Sequence, residues 1–241
     1  MQARHERVLG ALLLDGAPSP AVLAEARQLG LAPELRRTPL LLDFAEPADL
    51  ALARQWLLGQ ASDAWCLRVH DTRLLWCTPR AVTPALQEQW AAAALKPLRV
   101  MLGSPTSEPL ELQAQLRQLA DLASFAEHKL PQQAWLPLAT QRVAAALWRY
   151  RDDAGVRILV EPYRALQAED ASGQLRRTLH CWFELDGDAQ ACAQALSIHR
   201  NSLRYRLERI AEVCALDLAS PKGMAELYLG MLLAQESAEP D

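Results

Sequence analysis

The feature that most constrains this chain is a pair of short amphipathic helices predicted within residues 188–213. One buried face of the first helix follows the i, i+3, i+4, i+7 spacing, and consists of Ala189, Cys192, Ala193 and Leu196. The second helix keeps a similar apolar spacing, at Leu203, Leu207, Ile210 and Cys214. Between them Ile198 is expected to anchor a tight turn in the core, and Ser197 occupies a turn position that glycine often fills. The pattern predicts a helix-turn-helix unit.

The face of the second helix opposite its leucines is polar and basic. It carries Arg200, Asn201, Arg204, Tyr205 and Glu208. Arginine suits guanine and asparagine suits adenine in the major groove, and a recognition helix contacts base edges mainly through its N-terminal residues. Residues 199–209 hold four arginines against one acid. We interpret the unit as a DNA-binding helix-turn-helix; the alternative is a plain helical hairpin with a solvated basic face.

Composition narrows the classes of protein that remain. The 241 residues carry a formal net charge of −4, which favours local basic contacts with DNA over a protein coated in nucleic acid. No run of about 18 apolar residues occurs, so we expect no membrane span. The five cysteines are scattered without a CxxC pair, which argues against zinc and disulfides and favours buried thiols in a reducing cytoplasm. We expect no metal and no cofactor.

The order of predicted elements indicates an α+β domain followed by an all-α domain. Strands are predicted at residues 39–44, 64–69, 73–77, 98–102 and 134–138, and helices at residues 4–15, 20–29, 47–58, 84–95, 110–125, 140–150 and 156–166. They predict a small, mostly antiparallel sheet with helices packed against it. The polar segment 170–173 is the predicted joint. Residues 1–168 would form the first domain, and residues 169–241 a helical bundle closed by a helix at 221–235.

Three segments of the second domain resemble a known family. Residues 175–183 read LRRTLHCWF, residues 196–207 read LSIHRNSLRYRL, and residues 209–218 read RIAEVCALDL. Together they resemble the C-terminal domain of the PucR-type regulators, most closely the carbohydrate-diacid regulators (CdaR type). The chain departs from the family pattern at Ser202, Cys214 and Ala215, where the family has Thr, Thr and Gly. The resemblance implies a transcriptional activator of genes for sugar-diacid use, such as those for glucarate, galactarate or glycerate.

The resemblance also implies which side chains meet double-stranded DNA. Carried over by position, these are His199, Arg200, Asn201, Ser202, Arg204 and Tyr205, with Arg206 added as a phosphate contact. We assign base edges to Arg200, Asn201 and Arg204. His199 and Ser202 could instead cap the helix, Tyr205 could contact phosphate or pack on the preceding helix, and Arg206 could pair with Glu184 or Glu212. One recognition helix contacts only a few base pairs, so a homodimer on a two-fold site is expected.

The first domain resembles, more distantly, the GGDEF-like middle domain of the same family. The basis is the order of elements and the hairpin around His70, Asp71 and Thr72. A diguanylate cyclase would carry Gly-Gly and two carboxylates there, whereas this hairpin has Asp71 alone, so the resemblance implies a degenerate domain without cyclase activity that serves packing, oligomerisation or signal relay. The family's effector-binding domain precedes this region, and we expect a small-molecule effector to bind a domain absent from this chain.

Two rival interpretations remain open at this point. A degenerate nucleotide cyclase or phosphodiesterase would need clustered acids for Mg²⁺, and the acids near the predicted strands are scattered: Asp43, Glu46, Asp49, Asp63 and Asp71. A catalytically inactive, cyclase-like protein-interaction module would use the helical pair to bind a protein. Strong salt dependence of binding to duplex DNA would distinguish a regulator from that module.

Overall fold

The computed structural model of this chain describes residues 2–60 and 63–234. The chain forms two compact units, divided between Ala146 and Leu147. The division predicted between residues 168 and 169 falls inside the second unit, because the helix before it packs against the C-terminal helices. Residues 235–241 of the predicted second domain lie outside the described residues. No helix in the described ranges is long and apolar enough to cross a membrane.

The first unit contains the elements predicted from the sequence, with small shifts at their ends. Its helices are α1 (Gln2–Leu13), α2 (Pro20–Gln28), α3 (Pro47–Gln60), α4 (Pro84–Ala92) and α5 (Pro109–Lys129). Its strands are β1 (Thr38–Asp43), β2 (Trp65–Arg68), β3 (Arg73–Thr78), β4 (Arg99–Leu102) and β5 (Trp135–Pro137), followed by a 3-10 turn at Leu138–Thr140. Helix α6 (Arg142–Trp148) spans the division between the units. The predicted α+β class is confirmed.

The five strands form one sheet in the order β2-β3-β1-β4-β5. Every neighbouring pair is antiparallel except β4 and β5, so the sheet is mostly antiparallel as predicted. Leu40 and Leu42 of β1 pack in a core cluster with residues of α3 and α4, while Leu75 of β3 packs on the other face with α1 and α2. Because both faces are covered, β1 is buried along its whole length, which explains its continuous apolar run.

A buried arginine connects the loop before β1 to the segment before β2. Arg37 is 1% exposed, and its guanidinium lies 4.0 Å from the ring centre of Trp65. The guanidinium donates hydrogen bonds of 2.8–2.9 Å to four main-chain carbonyl oxygens, those of Leu31, Ala32, Leu35 and Asp63. Buried charges are tolerated where their donors are satisfied in this way, so Arg37 has a structural role.

The predicted hairpin is confirmed, and its acid is engaged within it. Residues 69–72 connect β2 to β3, and Asp71 forms an ion pair with Arg68. Asp43, at the end of β1, is buried and accepts a 2.8 Å hydrogen bond from Nε of Arg73. Burial raises the pKa of Asp43 although Arg73 opposes the shift. Among the described residues, no group of three or more His, Cys, Asp or Glu side chains could hold a metal ion.

Within residues 147–234 the second unit has no strand, and after the end of α6 it consists of five helices. They are α7 (Ala154–Glu169), α8 (Gln174–Glu184), α9 (Ala189–Ala195), α10 (Arg200–Cys214) and α11 (Pro221–Leu233). The last helix was predicted to reach residue 235, which lies outside the described residues. The main core combines α7, α8, α10 and α11, with Leu166, Leu179, Ile210 and Leu227 at its centre. Helix α7 supplies part of this core, which is why it belongs to the second unit.

The segment predicted as a joint, residues 170–173, is an ordered turn between α7 and α8. Asp170 is buried, and its Oδ2 accepts a 2.8 Å hydrogen bond from the backbone N–H of Arg176. Burial alone would raise the pKa of Asp170, but the backbone N–H groups of Arg176 and Leu175, with the Arg176 guanidinium, lower it. The buried carboxylate therefore fixes the start of α8.

Candidate nucleic-acid interface

Local hydrogen bonds define the turn between α9 and α10. Asp188 caps α9, since its Oδ1 accepts from the backbone N–H groups of Gln190 and Ala191 at 2.9 and 3.0 Å. After α9 the backbone of Ser197 is left-handed, with φ of 54°, and the N–H of Ile198 bonds back to the Ala193 carbonyl at 3.0 Å. This reversal is a common way to end a helix. The sequence-based expectation of a glycine-like conformation at Ser197 is confirmed.

The two helices are held together by a small core of their own. Cys192, Ala193 and Leu203 are buried in one cluster, against which Ile198 and Leu207 also pack. The small side chain of Ala193 is part of this cluster. Ala189, which we placed on the buried face, is exposed instead. It is the first residue of α9, directly after the cap, and lies before the part of the helix that contacts α10.

The polar face of α10 is open to solvent along its N-terminal turns. The exposed residues are His199, Arg200, Asn201, Ser202, Arg204 and Tyr205. The Arg204 side chain is 76% exposed, and its one ion pair with the described residues is at 3.6 Å to Glu208. Such a surface ion pair contributes little to stability. Tyr205 is 68% exposed, so the alternative in which it packs on the preceding helix is wrong.

The N-terminal cap of α10 is a histidine. Nδ1 of His199 accepts a hydrogen bond of 3.2 Å from the backbone N–H of Asn201. This is the capping role that the sequence left open for His199. Ser202 lies within the helix, and its hydroxyl forms no hydrogen bond within the described residues. The first turn of α10 thus presents Arg200, Asn201 and Ser202 outward from a fixed backbone.

Arg206, another predicted contact residue, is held by side chains of a second helix. Its guanidinium donates to Oε1 of Gln174 at 3.2 Å and to Oγ1 of Thr178 at 3.3 Å, both on α8. The predicted acid partners were wrong: Glu212 pairs with Arg209 at 3.1 Å instead, and Glu184 makes no ion pair with Arg206. Arg206 therefore ties α10 to α8, and any phosphate contact would compete with these bonds.

A cleft beside the first turn of α10 contains polar side chains that sequence reasoning missed. It has a volume of about 700 Å³, and the polar residues that line it are Gln190, Gln194, Ser197, His199 and Arg200. Gln190 and Gln194 lie four residues apart on α9, and both are exposed. This four-residue spacing, on the face of α9 away from Cys192, is the sequence signal from which both glutamines could have been predicted to be exposed. Amide side chains in this place can bond to phosphate or sugar oxygens, which position a protein on a duplex.

The turn after α10 forms although the chain departs there from the family pattern. Ala215 has a φ of 52°, and the N–H of Leu216 bonds to the Ala211 carbonyl at 3.1 Å. Cys214 is buried, and burial raises its thiol pKa to about 11. Burial, with a contact to Cys181, likewise raises the pKa of Cys192 to about 12. All five cysteines are free, and the buried thiols stay protonated at neutral pH.

Replacing Ser197 by glycine is expected to stabilise the second unit by about 0.5–1 kcal/mol, because an L-residue is strained in the left-handed conformation. Chemical denaturation followed by circular dichroism would measure the change. Ser202→Gly is the matched control: it lies inside α10 with ordinary helical backbone, so the same substitution should lower the free energy of unfolding by about 0.5 kcal/mol. Equal destabilisation by both variants would contradict the prediction.

Comparison with known proteins identifies the same segment. Residues 175–233 match the family model of the PucR C-terminal helix-turn-helix domain. The chain is 31% identical over 138 residues to the carbohydrate diacid regulator of Escherichia coli K12, covering 57% of this chain and 36% of that protein. A match of this length exceeds the second unit and must extend into the first.

Two further comparisons concern shorter or more distant likenesses. The chain is 31% identical over 68 residues to the proline-responsive transcriptional activator PutR of Bacillus subtilis, covering 28% of this chain and 16% of PutR. The matches therefore span about a third of the length of the first relative and about a sixth of the length of the second. It also superposes on the regulator of polyketide synthase expression from Bifidobacterium adolescentis, with a TM-score of 0.46 and 18% identity over 96% of this chain and 92% of that one.

Proposed function

We propose that this chain is a PucR-type transcriptional regulator that binds double-stranded DNA sequence-specifically through the exposed face of α10. Its residues 175–233 match the C-terminal helix-turn-helix domain of that family. The single observation that carries the proposal is the position of Arg200, Asn201 and Arg204. All three are exposed in the first turns of a helix whose opposite side is fixed in the core. That is where a recognition helix contacts base edges.

The roles proposed for the site follow from what each side chain is free to do. Arg200, Asn201 and Arg204 contact base edges, where their donors and acceptors match guanine and adenine. Ser202 and Tyr205 contact phosphate or sugar. His199 keeps its role as the N-cap of α10, and it faces DNA from the same cleft as Arg200. Arg206 sets the angle of α10 on α8 and reaches phosphate only if its bonds to Gln174 and Thr178 open.

We infer a finer assignment from the relative with the longer match. That relative is named a carbohydrate diacid regulator, which supports control of genes for sugar-diacid use in this protein as well. Activation is the direction of control that the family resemblance implies. The shorter match is to a proline-responsive activator, so the diacid assignment rests on the longer alignment. A homodimer on a two-fold operator fits the short reach of one recognition helix.

We propose that the first unit is a degenerate GGDEF-like domain without cyclase activity. The order of its elements and the β2-β3-β1-β4-β5 sheet support the likeness. Its hairpin lacks the Gly-Gly pair, and Asp71, the one carboxylate there, is paired with Arg68. Such a domain would hold protomers together or relay a signal to the helical unit.

Binding to duplex DNA at several salt concentrations tests the proposed function. The full chain would be titrated, by fluorescence anisotropy, onto a labelled fragment from upstream of its own gene and onto a random duplex of equal length. We expect binding to the upstream fragment to be about 1,000-fold tighter or more, and to weaken with a log–log salt slope of roughly −4 or steeper. Equal binding to both duplexes, or no binding, would contradict the regulator and favour the protein-interaction module.

A further inference from the structure

An open cavity lies on the face of the sheet that α1 and α5 cover, within the first unit. It has a volume of about 370 Å³ and is bordered by α1, α5, β1 and the β2–β3 hairpin. This size is at the lower end of the roughly 300–1,000 Å³ typical of small-molecule sites. The cavity takes no part in the interface proposed for DNA, which is formed by the second unit.

The cavity is apolar on its floor and walls. Leu41 and Leu75 of the sheet form the floor together with Leu13, and all three are buried. The walls include Leu14, which is 57% exposed, and Val69, which is also exposed. Large aliphatic side chains that remain in water around a concave surface are typical of a binding site. An apolar ligand body would remove them from water.

Some of the polar side chains at the cavity are bonded to other residues, and others are not. Gln113 is engaged, because its Nε2 donates to the Leu12 and Gly16 carbonyls. Arg73 is engaged with Asp43 at 2.8 Å. Arg117 and His70 also line the cavity, and neither side chain has an ion pair or hydrogen bond with another residue in ranges 2–60 and 63–234. No carboxylate lines the cavity. The guanidinium of Arg117 therefore supplies a positive charge that an anionic ligand could meet.

We propose that this cavity binds a small amphipathic monoanion, a carboxylate carried on a short aliphatic or aromatic body. The body lies against Leu13, Leu41 and Leu75, and the carboxylate meets the guanidinium of Arg117. A polyhydroxy diacid does not fit this chemistry, because its hydroxyl groups would lose water against leucine walls without gaining hydrogen bonds. The cavity is thus a ligand site separate from any sugar-diacid site of the protein.

Isothermal titration of the full chain with octanoate, without DNA, tests the proposal. We expect a Kd on the order of 0.1–1 mM, as befits a ligand of about ten non-hydrogen atoms. Glucarate is expected to show no binding at this site. Arg117→Gln should weaken octanoate binding by about five- to twentyfold, and Arg117→Lys should restore most of it. Arg142→Gln removes an exposed charge that does not line the cavity and should leave the Kd unchanged.

A second pair of measurements separates the cavity from non-specific uptake. 1-Octanol, which has the same body without the charge, should bind more weakly than octanoate and equally to wild type and Arg117→Gln. Ala120→Trp, at an exposed lining position on α5, should block both ligands while leaving the circular dichroism spectrum unchanged. Equal affinity for octanoate and octanol, indifference to Ala120→Trp, or occlusion of the cavity by a second copy in solution would each overturn the proposal.

Discussion

Gly230→Ala is expected to lower the free energy of unfolding of the second unit by roughly 3 kcal/mol or more, at the upper end of what overpacking a core costs. Gly230 lies in α11 where that helix crosses α7. A Cβ atom at this position would stand 2.5 Å from the carbonyl oxygen of Leu159 and 3.6 Å from Cβ of Tyr163. The nearer atom is backbone, which cannot rotate away as a side chain can, so the two helices would have to separate.

The separation would open the core that supports α10. Leu227 and Met231 of α11 share a cluster with Val160 of α7 and Ile210 of α10. Any gap between α7 and α11 therefore removes contacts on several residues at once, and the loss adds to the strain of the new methyl group. DNA binding would fall with the folded fraction rather than through a lost contact.

Gly10→Ala is the matched control for this prediction. Gly10 also lies inside a helix, α1, but a Cβ there would meet no atom within 4 Å. The same substitution should stabilise α1 by about 0.5–1 kcal/mol, since alanine has the higher helix propensity. Urea denaturation followed by circular dichroism would show a shift of opposite sign for the two variants. If Gly230→Ala were as stable as wild type, the close crossing would be wrong.

The secondary structure was largely predictable because its pattern is local. Strand β1 could be identified from a continuous apolar run, and the β2–β3 hairpin from two β-prone runs around the polar residues His70, Asp71 and Thr72. The parallel pairing of β4 with β5 could not be assigned the same way. It depends on α5, which crosses from one strand to the next, and on how that helix packs, which periodicity does not specify.

Interactions between residues far apart in sequence explain where the structure differs from what the sequence predicted. No local pattern in the sequence marks Arg37 as buried, yet its guanidinium is bonded to carbonyl groups of residues up to 26 positions away. For Arg206 the sequence left open a pair with Glu184 or Glu212, whereas its partners are polar residues of α8, 28 and 32 positions away. The exposed face of α10 was predictable, because helical spacing alone separates Leu203 and Ile210 from the arginines.

Arg204→Ala is expected to weaken binding to the specific DNA by about 10- to 100-fold, equivalent to roughly 1–3 kcal/mol, without a change in the stability of the protein. The side chain is 76% exposed, and it gives up one surface ion pair with Glu208 when it is removed. A contact with a base edge would be the interaction lost. Anisotropy titrations on specific and random duplexes at fixed salt would measure the effect.

Two companion variants make the role of Arg204 specific. Arg209→Ala removes another exposed arginine of the same helix, one that is paired with Glu212 and lies 3.9 Å from Glu169. Because Arg209 is more than a helical turn further from the N-terminus, we expect at most about a twofold change in affinity. Arg204→Lys keeps the charge but loses the two-donor geometry that matches guanine. It should retain binding to random duplex and lose discrimination.

The comparison of these variants separates reading of bases from attraction to phosphate. If Arg204 only contacted phosphate, Arg204→Ala would weaken both duplexes alike and Arg204→Lys would bind like wild type. If it contacts a base, specific binding falls in both variants while random binding falls only in Arg204→Ala. If all three variants bind as wild type does, the exposed face of α10 is not a DNA-reading surface, and the helical pair serves another partner.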